Sequence, residues 1–239
     1  MDTFPIVLIL AGGLGTRVRA LNPDLPKAML PVCGKPFIAH QLRLLARESV
    51  KEVILCVGHR CRPLIDYVDS GKAFGIRVRY SYDAEKLLGT GGAIRRAQEK
   101  YKLESPFAVL YGDSYLDTAF ATIYSAFRQC DKLALVTVYK NNNRWIPSNV
   151  LYKSGLIIDY AKNKPISDMQ HVDYGLSIFQ PQVFSAFPIN KNFDLSEVFL
   201  ALLKERQLAA YIVKDRFYEA GSPEGLKNLE ECLRTKEQI

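Results

Sequence analysis

The chain has 239 residues, 48% hydrophobic and 24% charged, a balance ordinary for a globular protein and wrong for a disordered or collagen-like one. At this length one α/β domain can bury a complete core, and no apolar run approaches the ~18 residues of a membrane span. The net charge is +7, from 32 Lys and Arg against 25 Asp and Glu, which suits anionic partners.

Met1-Asp2-Thr3-Phe4-Pro5 carries no basic leader, so the apolar run after it reads as a first strand, not a signal peptide. That strand is expected over Ile6–Ala11, followed by a glycine-rich loop and a helix over Phe37–Arg47. Then come a strand at Val53–Val57, a helix at Pro63–Ser70, a strand at Val78–Ser81 and a helix at Gly91–Lys100. A strand at Phe107–Tyr111, a helix at Thr118–Cys130 and a strand at Leu133–Tyr139 follow. Strands alternating with helices imply an α/β fold with a mostly parallel, doubly wound, Rossmann-like sheet and right-handed crossovers.

Past Asn141 the rhythm changes to short extended pieces at Asn149–Lys153, Leu156–Tyr160 and Tyr174–Phe179. A helix at Leu195–Arg206, a strand at Ala209–Val213 and a helix from Pro223 close the chain. We read residues 1–239 as one domain, with a first lobe over 1–140 and a mixed second lobe over 141–239 on the same sheet. The cysteines (Cys33, Cys56, Cys61, Cys130 and Cys232) are odd in number, scattered and free of C-x-x-C pairs. Reduced thiols in a cytoplasmic protein fit that pattern. His40, His59 and His171 form no metal-ligand spacing with them.

The first chemical signal is Ala11-Gly12-Gly13-Leu14-Gly15-Thr16-Arg17 at the end of the first strand. Glycines there let backbone N–H groups approach an anion, and an adjacent arginine adds a bidentate phosphate contact. A Walker A loop is excluded because no Lys-Ser/Thr follows. A dinucleotide fingerprint is excluded because Val18 stands where the third glycine belongs and no acid follows at the required distance. Between Leu14 and Arg47 the cations Arg17, Arg19, Lys27, Lys35, Arg43 and Arg47 face one acid, Asp24. No aromatic-rich RNA signature accompanies them, so small-molecule phosphate is expected, with no nucleic acid and no membrane as partner.

Leu10-Ala11-Gly12-Gly13-x-Gly15-Thr16-Arg17 is followed by Pro26-Lys27-x-Met29-x-Pro31-Val32-x-Gly34-Lys35-Pro36. Together these closely resemble the opening of sugar-1-phosphate nucleotidyltransferases, and later motifs extend the resemblance over nearly the whole chain. It implies that Leu10, Ala11, Gly12, Gly13, Gly15 and Thr16 bind the nucleotide, with Arg17 on the departing phosphates and Lys27 bridging phosphates at the reaction centre. Physics supports those roles: cations on a pyrophosphate leaving group stabilise the charge that develops there. Lys35 reads as a structural surface lysine.

Glu85-Lys86-Leu87-Leu88-Gly89-Thr90-Gly91-Gly92-Ala93 resembles the family's base-recognition segment in its mannose- and heptose-type, GTP-using form. Glu85, Gly89, Thr90 and Gly91 are then nucleotide-binding, and plain helix capping is the rival reading. In Tyr111-Gly112-Asp113-Ser114, Asp113 stands just past a central strand, where open α/β sheets bind ligands. The resemblance makes it a holder of Mg²⁺. The second metal ligand of the family is an aspartate in D-x-G-[ST]-P-E, and here the matching residue is Glu219, one methylene longer. Asp117 reads as a helix N-cap, and Glu224 as a residue that compensates a helix dipole.

For the sugar phosphate, the resemblance offers Lys162, with Lys164 as rival, and the strand bearing Asp173 and Gly175. Asp173 can accept hydroxyl hydrogen bonds and Gly175 can admit a ring. Asn142-Asn143-Arg144-Trp145 and Ser148-Asn149 read as a solvated loop. No general base is required, because a phosphate monoester with second pKa ≈ 6 is mostly dianionic at neutral pH. The expected substrates are a nucleoside triphosphate and a sugar 1-phosphate, and a homo-oligomer is compatible with the chain. The rivals are another small phosphate acceptor such as phosphocholine, and a non-catalytic nucleotide-sensing subunit.

Overall fold

The computed structural model describes residues 4–13, 25–58, 60–83, 87–161 and 166–237. Four apolar residues form β1 (Val7–Leu10). Strand alternation sends Val7 and Ile9 into one buried cluster and Leu8 into the other. A turn at Lys27–Met29 leads to a small hairpin of β2 (Pro31–Val32) and β3 (Lys35–Pro36). Next come α1 (Phe37–Arg47), β4 (Glu52–Val57), α2 (Arg62–Val68), β5 (Arg77–Tyr82), α3 (Gly89–Tyr101) and β6 (Phe107–Tyr111). They are followed by β7 (Ser114–Tyr115), α4 (Phe120–Gln129), β8 (Ala134–Lys140), β9 (Val150–Lys153), β10 (Leu156–Tyr160) and β11 (His171–Phe179). The chain closes with α5 (Gln182–Ser185), α6 (Leu195–Lys204), β12 (Leu208–Val213), β13 (Tyr218–Glu219) and α7 (Pro223–Glu237).

In the main sheet, β5, β4, β1 and β6 lie side by side and parallel. Of these, β1, β4 and β6 are near-continuous apolar runs because helices cover both faces, and β5 is the more polar edge strand. Strand β11 then runs antiparallel between β6 and β8, β12 pairs parallel with β8, and the β9–β10 hairpin joins at His171. Ile38, Leu42 and Leu45 of α1, Leu64 and Val68 of α2, and Phe120 and Phe127 of α4 pack on one face. Ala93, Ile94 and Ala97 of α3, with Val198, Phe199 and Leu202 of α6, pack on the other. Full burial of each large side chain contributes about 1.5–3 kcal/mol. A third cluster unites Leu229 and Leu233 of α7 with Val32, Phe37 and Tyr115, so the closing helix covers the small hairpin.

The expected helices and strands all occur, with ends moved by up to three residues. The β2–β3 hairpin, the β7–β13 ribbon and α5 were not expected from sequence. Asp117 is not an N-cap: α4 begins only at Phe120, after Ala119. Asp117 pairs instead with Arg47, and the Phe120 N–H donates to Glu48 Oε2 at 3.1 Å. The helix end is thus satisfied by a side chain from 72 residues earlier in the chain. All five cysteines are free thiols. Among the described residues no helix is long and apolar enough to cross a membrane.

Candidate active site

Parallel strands open their carboxyl ends on one edge of the sheet, where ligands of open α/β folds collect. Residues Leu10–Gly13 after β1, Asp83 after β5 and Gly112–Asp113 after β6 line a cavity of about 690 Å³ there. Trp145, Asp173 and Arg216 from the second half of the chain complete its walls.

At one point in the cavity three charged groups converge. Lys27 Nζ donates to Asp113 Oδ2 at 2.6 Å, with side chains only 16% and 31% exposed. Glu219 folds back on its own loop and accepts from the Gly221 N–H and the Ser222 hydroxyl. A methyl group added to Gly221 would collide with Glu219 Oε2, and would stand 2.7 Å from Lys27 Nζ and 3.3 Å from Asp113 Oδ2. Both carboxylates and the lysine therefore surround a single small volume, and only a glycine leaves it open.

That turn is clamped from two sides. Buried Gln41 of α1 donates through Nε2 to the carbonyls of Tyr111 (3.0 Å) and Ser114 (2.8 Å), on either side of Asp113. The Ala220 N–H donates to the Asp113 carbonyl at 2.8 Å, and Glu219 sits opposite Ser114 in the β7–β13 ribbon. Among the described residues no group of three or more His, Cys, Asp or Glu could hold a metal. Two hard carboxylates beside an open volume do suit Mg²⁺, which takes one or two protein carboxylates and fills its shell from phosphates and water.

At the glycine-loop end, Leu10, Ala11, Gly12 and Gly13 line the cavity, and the Ala11 N–H is tied to the Cys56 carbonyl at 2.9 Å. A Cβ on Gly12 would stand 3.1 Å from the Gly58 nitrogen and 3.5 Å from Asp83 Oδ2. Gly15, Thr16, Arg17 and Glu85 lie outside the described residues. Gly89 and Thr90 line the cavity and Gly91 does not. The N–H groups of Gly91 and Gly92 both donate to the Phe193 carbonyl, which joins the start of α3 to the segment before α6. The Thr90 hydroxyl donates to Asp194 Oδ2 at 3.0 Å and accepts from the Leu195 N–H at 2.8 Å. Thr90 thus ties the first turn of α3 to the start of α6 while also lining the cavity. Asp83 escaped the sequence reading, although an acid directly after a strand was the signal that marked Asp113. Burial, with a smaller contribution from Asp83, holds the Cys56 thiol far above the usual thiol range.

At the other end, Asp173 Oδ2 accepts from the Tyr111 hydroxyl at 2.6 Å and the Tyr160 hydroxyl at 3.0 Å. Both hydroxyls belong to the protein itself, and Asp173 Oδ1 accepts from the Gly175 N–H at 2.9 Å. Burial first, and the Asp173 charge second, push both tyrosines well above their ordinary pKa. Gly175 does not line the cavity. Its φ of +103° and the 2.8 Å from a would-be Cβ to Ser114 Oγ show a close crossing of β11 over β7. Lys162 and Lys164 lie outside the described residues. The 142–149 stretch is not merely a solvated loop: Trp145, Ile146, Pro147 and Asn149 line the cavity. Buried Asn141 braces it, donating to the Ile146 carbonyl at 2.5 Å and accepting from the Trp145 N–H at 3.2 Å. Asn142 and Asn143 take the left-handed conformations (φ 49° and 57°) that asparagine tolerates. The Arg216 guanidinium lies 3.4 Å from the Trp145 ring centroid, a contact nothing in the sequence spacing signals.

The family described as Nucleotidyl transferase matches residues 6–231. D-glycero-α-D-manno-heptose 1-phosphate guanylyltransferase of Campylobacter jejuni is 30% identical over 218 residues, 91% of this chain and 95% of that protein. UTP–glucose-1-phosphate uridylyltransferase of Synechocystis is 26% identical over 229 residues, and the match spans 88% of this chain but only 58% of that longer relative. The crystal structure of HddC from Yersinia pseudotuberculosis complexed with GMP-PN is similar, with TM-score 0.79 and 25% identity over 96% of this chain and 100% of that one. The chain belongs to the sugar-1-phosphate nucleotidyltransferase family.

Proposed function

We propose that this protein condenses a nucleoside triphosphate with a sugar 1-phosphate, releasing pyrophosphate and an NDP-sugar. The observation that carries the reading is the convergence of Lys27, Asp113 and Glu219 around one open volume in the cavity. The acceptor phosphate oxygen attacks the α-phosphorus in line, and catalysis is positioning plus charge stabilisation. Lys27 follows the shifting charge on the phosphates, as a compact cation on a flexible stem can. Arg17 is assigned to the pyrophosphate by its place in the glycine-loop motif. Asp113 and Glu219 would hold Mg²⁺, which supplies positive charge to the phosphate oxygens when bound.

For the nucleotide we favour GTP. Asp83 places a carboxylate beside Gly12 at the nucleotide end, and a carboxylate can accept from the neighbouring N1–H and N2–H₂ donors of guanine. Uracil and thymine offer one N–H there. The Leu88-Gly89-Thr90 spelling and the heptose guanylyltransferase relative support the same choice, with an acceptor of heptose or mannose type. Phosphocholine fits less well. Trp145, the largest of the aromatic rings that line the cavity, already carries the Arg216 cation.

A matrix of NTPs against sugar 1-phosphates with Mg²⁺, scored by pyrophosphate release, tests the reading. Turnover is expected in the GTP row with a mannose- or heptose-type acceptor. A matrix that stays blank throughout would favour the sensing subunit instead.

A further inference from the structure

Arg216 and Arg144 are the cations on the indole ring of Trp145 in the cavity wall, with Cζ 3.4 Å and 4.9 Å from its centroid. No ion pair among the described residues involves either. Arg216 also lies 4.9 Å from the Tyr218 ring, and its Nε is buried without a hydrogen-bond partner. A buried, unpartnered guanidinium nitrogen costs free energy unless a ligand satisfies it. Stacking on an aromatic face uses the flat side of the guanidinium and leaves its N–H edge for a planar or tetrahedral anion. Four of the acids that line the cavity are engaged elsewhere: Asp113 with Lys27, Asp173 with two tyrosines, Asp194 with Thr90, and Glu219 with Gly221 and Ser222 of its own loop. Arg216 sits three residues before Glu219, on the chain segment that enters the reaction centre.

We infer that Arg216, oriented by the face of Trp145, holds the phosphate of the acceptor in the cavity. This rests on the proposed reaction for the identity of the acceptor, but binding can be read without turnover. Trp145 is the only tryptophan of the chain, so its fluorescence reports directly on a ligand that reaches the stacked guanidinium.

The experiment titrates the protein with mannose 1-phosphate, glucose 1-phosphate, inorganic phosphate, free mannose and GTP while Trp145 emission is recorded. A saturable change is expected with at least one sugar 1-phosphate, and none with free mannose. In Arg216→Gln the midpoint for that ester moves at least ~10-fold upward, the loss expected when a charge-assisted bidentate contact is removed. GTP affinity by calorimetry stays within about twofold, and Arg216→Lys recovers part of the loss, because it keeps the charge but not the fork. Thermal melts show that each variant is folded. If Arg216→Gln fails to fold, Arg216→Lys alone carries the test through its raised ester midpoint.

A wild-type emission that answers no phosphate-bearing probe up to tens of millimolar would overturn the inference. So would an ester midpoint unmoved in both variants, or a loss confined to GTP, which would make Arg216 a nucleotide contact. If sugar 1-phosphates bind through Arg216 but no substrate pair releases pyrophosphate, the reaction fails and the binding site stands. If pyrophosphate is released and Arg216→Gln leaves the acceptor KM unchanged, the inference fails alone.

Discussion

The backbone that presents the Asp113 carboxylate to Lys27 is held in place by its neighbours. Gln41 grips the carbonyls on both sides of Asp113, and Ala220 grips the carbonyl of Asp113 itself. Replacing Gln41 by Ala strips partners from two buried carbonyls and should cost about 1–3 kcal/mol of stability, read by urea unfolding. Turnover should fall by ~10- to 100-fold, because small displacements of a reacting group are costly; unchanged kcat would show that the turn holds itself. The paired tyrosines make a pH prediction. Tyr111 and Tyr160 are held above their ordinary pKa by burial and then by Asp173, so the folded protein retains protons that the unfolded chain releases. Their contribution is complete below about pH 10 and is lost as pH rises beyond it, by up to ~1.4 kcal/mol per pH unit for each group. Urea midpoints should be level to about pH 9 and fall above 10, and less steeply in a Tyr111→Phe/Tyr160→Phe variant. Equal slopes in both proteins would contradict this.

Helices α3 and α6 start side by side, and one carboxylate serves both. Asp194 caps α6 in a reciprocal box with Glu197 and accepts from Thr90 in the first turn of α3. Asp194→Ala should cost about 1–2 kcal/mol in thermal or urea unfolding, the upper part of the range for a lost cap. It should couple non-additively with Thr90→Val; additive losses would mean that the two helix ends are independent. The elements themselves were legible because each has a strong pattern: Phe37–Arg47 matched to the residue, and β1, Val53–Val57 of β4, and β6 are unbroken apolar runs. The β7–β13 ribbon was not legible. Its two-residue strands are too short to show alternation, and they pair residues 114–115 with 218–219. The motif glycines Gly89 and Gly91 also lie against Phe193 across the α3–α6 boundary, a contact that no local spacing reveals.

Across the whole molecule, the parallel strands supply the glycine-loop end of the cavity, and β11, inserted antiparallel between β6 and β8, brings the second half of the chain to the same edge. Sequence motifs marked Lys27, Asp113 and Glu219 separately, and the fold brings them together. Their spacing along the chain says nothing about a shared volume, which depends on the ribbon that sets Glu219 opposite Ser114. Asp83, Tyr160, Trp145 and Arg216 were missed as cavity residues because they stand in no motif and meet only through the fold. The central claim is that the Lys27–Asp113–Glu219 point is where phosphorus chemistry happens. The most direct measurement is pyrophosphate release by Asp113→Ala beside the wild type, at equal Mg²⁺ and with matched circular dichroism and melting curves. The account predicts a folded variant whose rate is lower by at least ~10³-fold, the scale of losing a principal electrostatic stabiliser. A folded variant that releases pyrophosphate at close to the wild-type rate would contradict it.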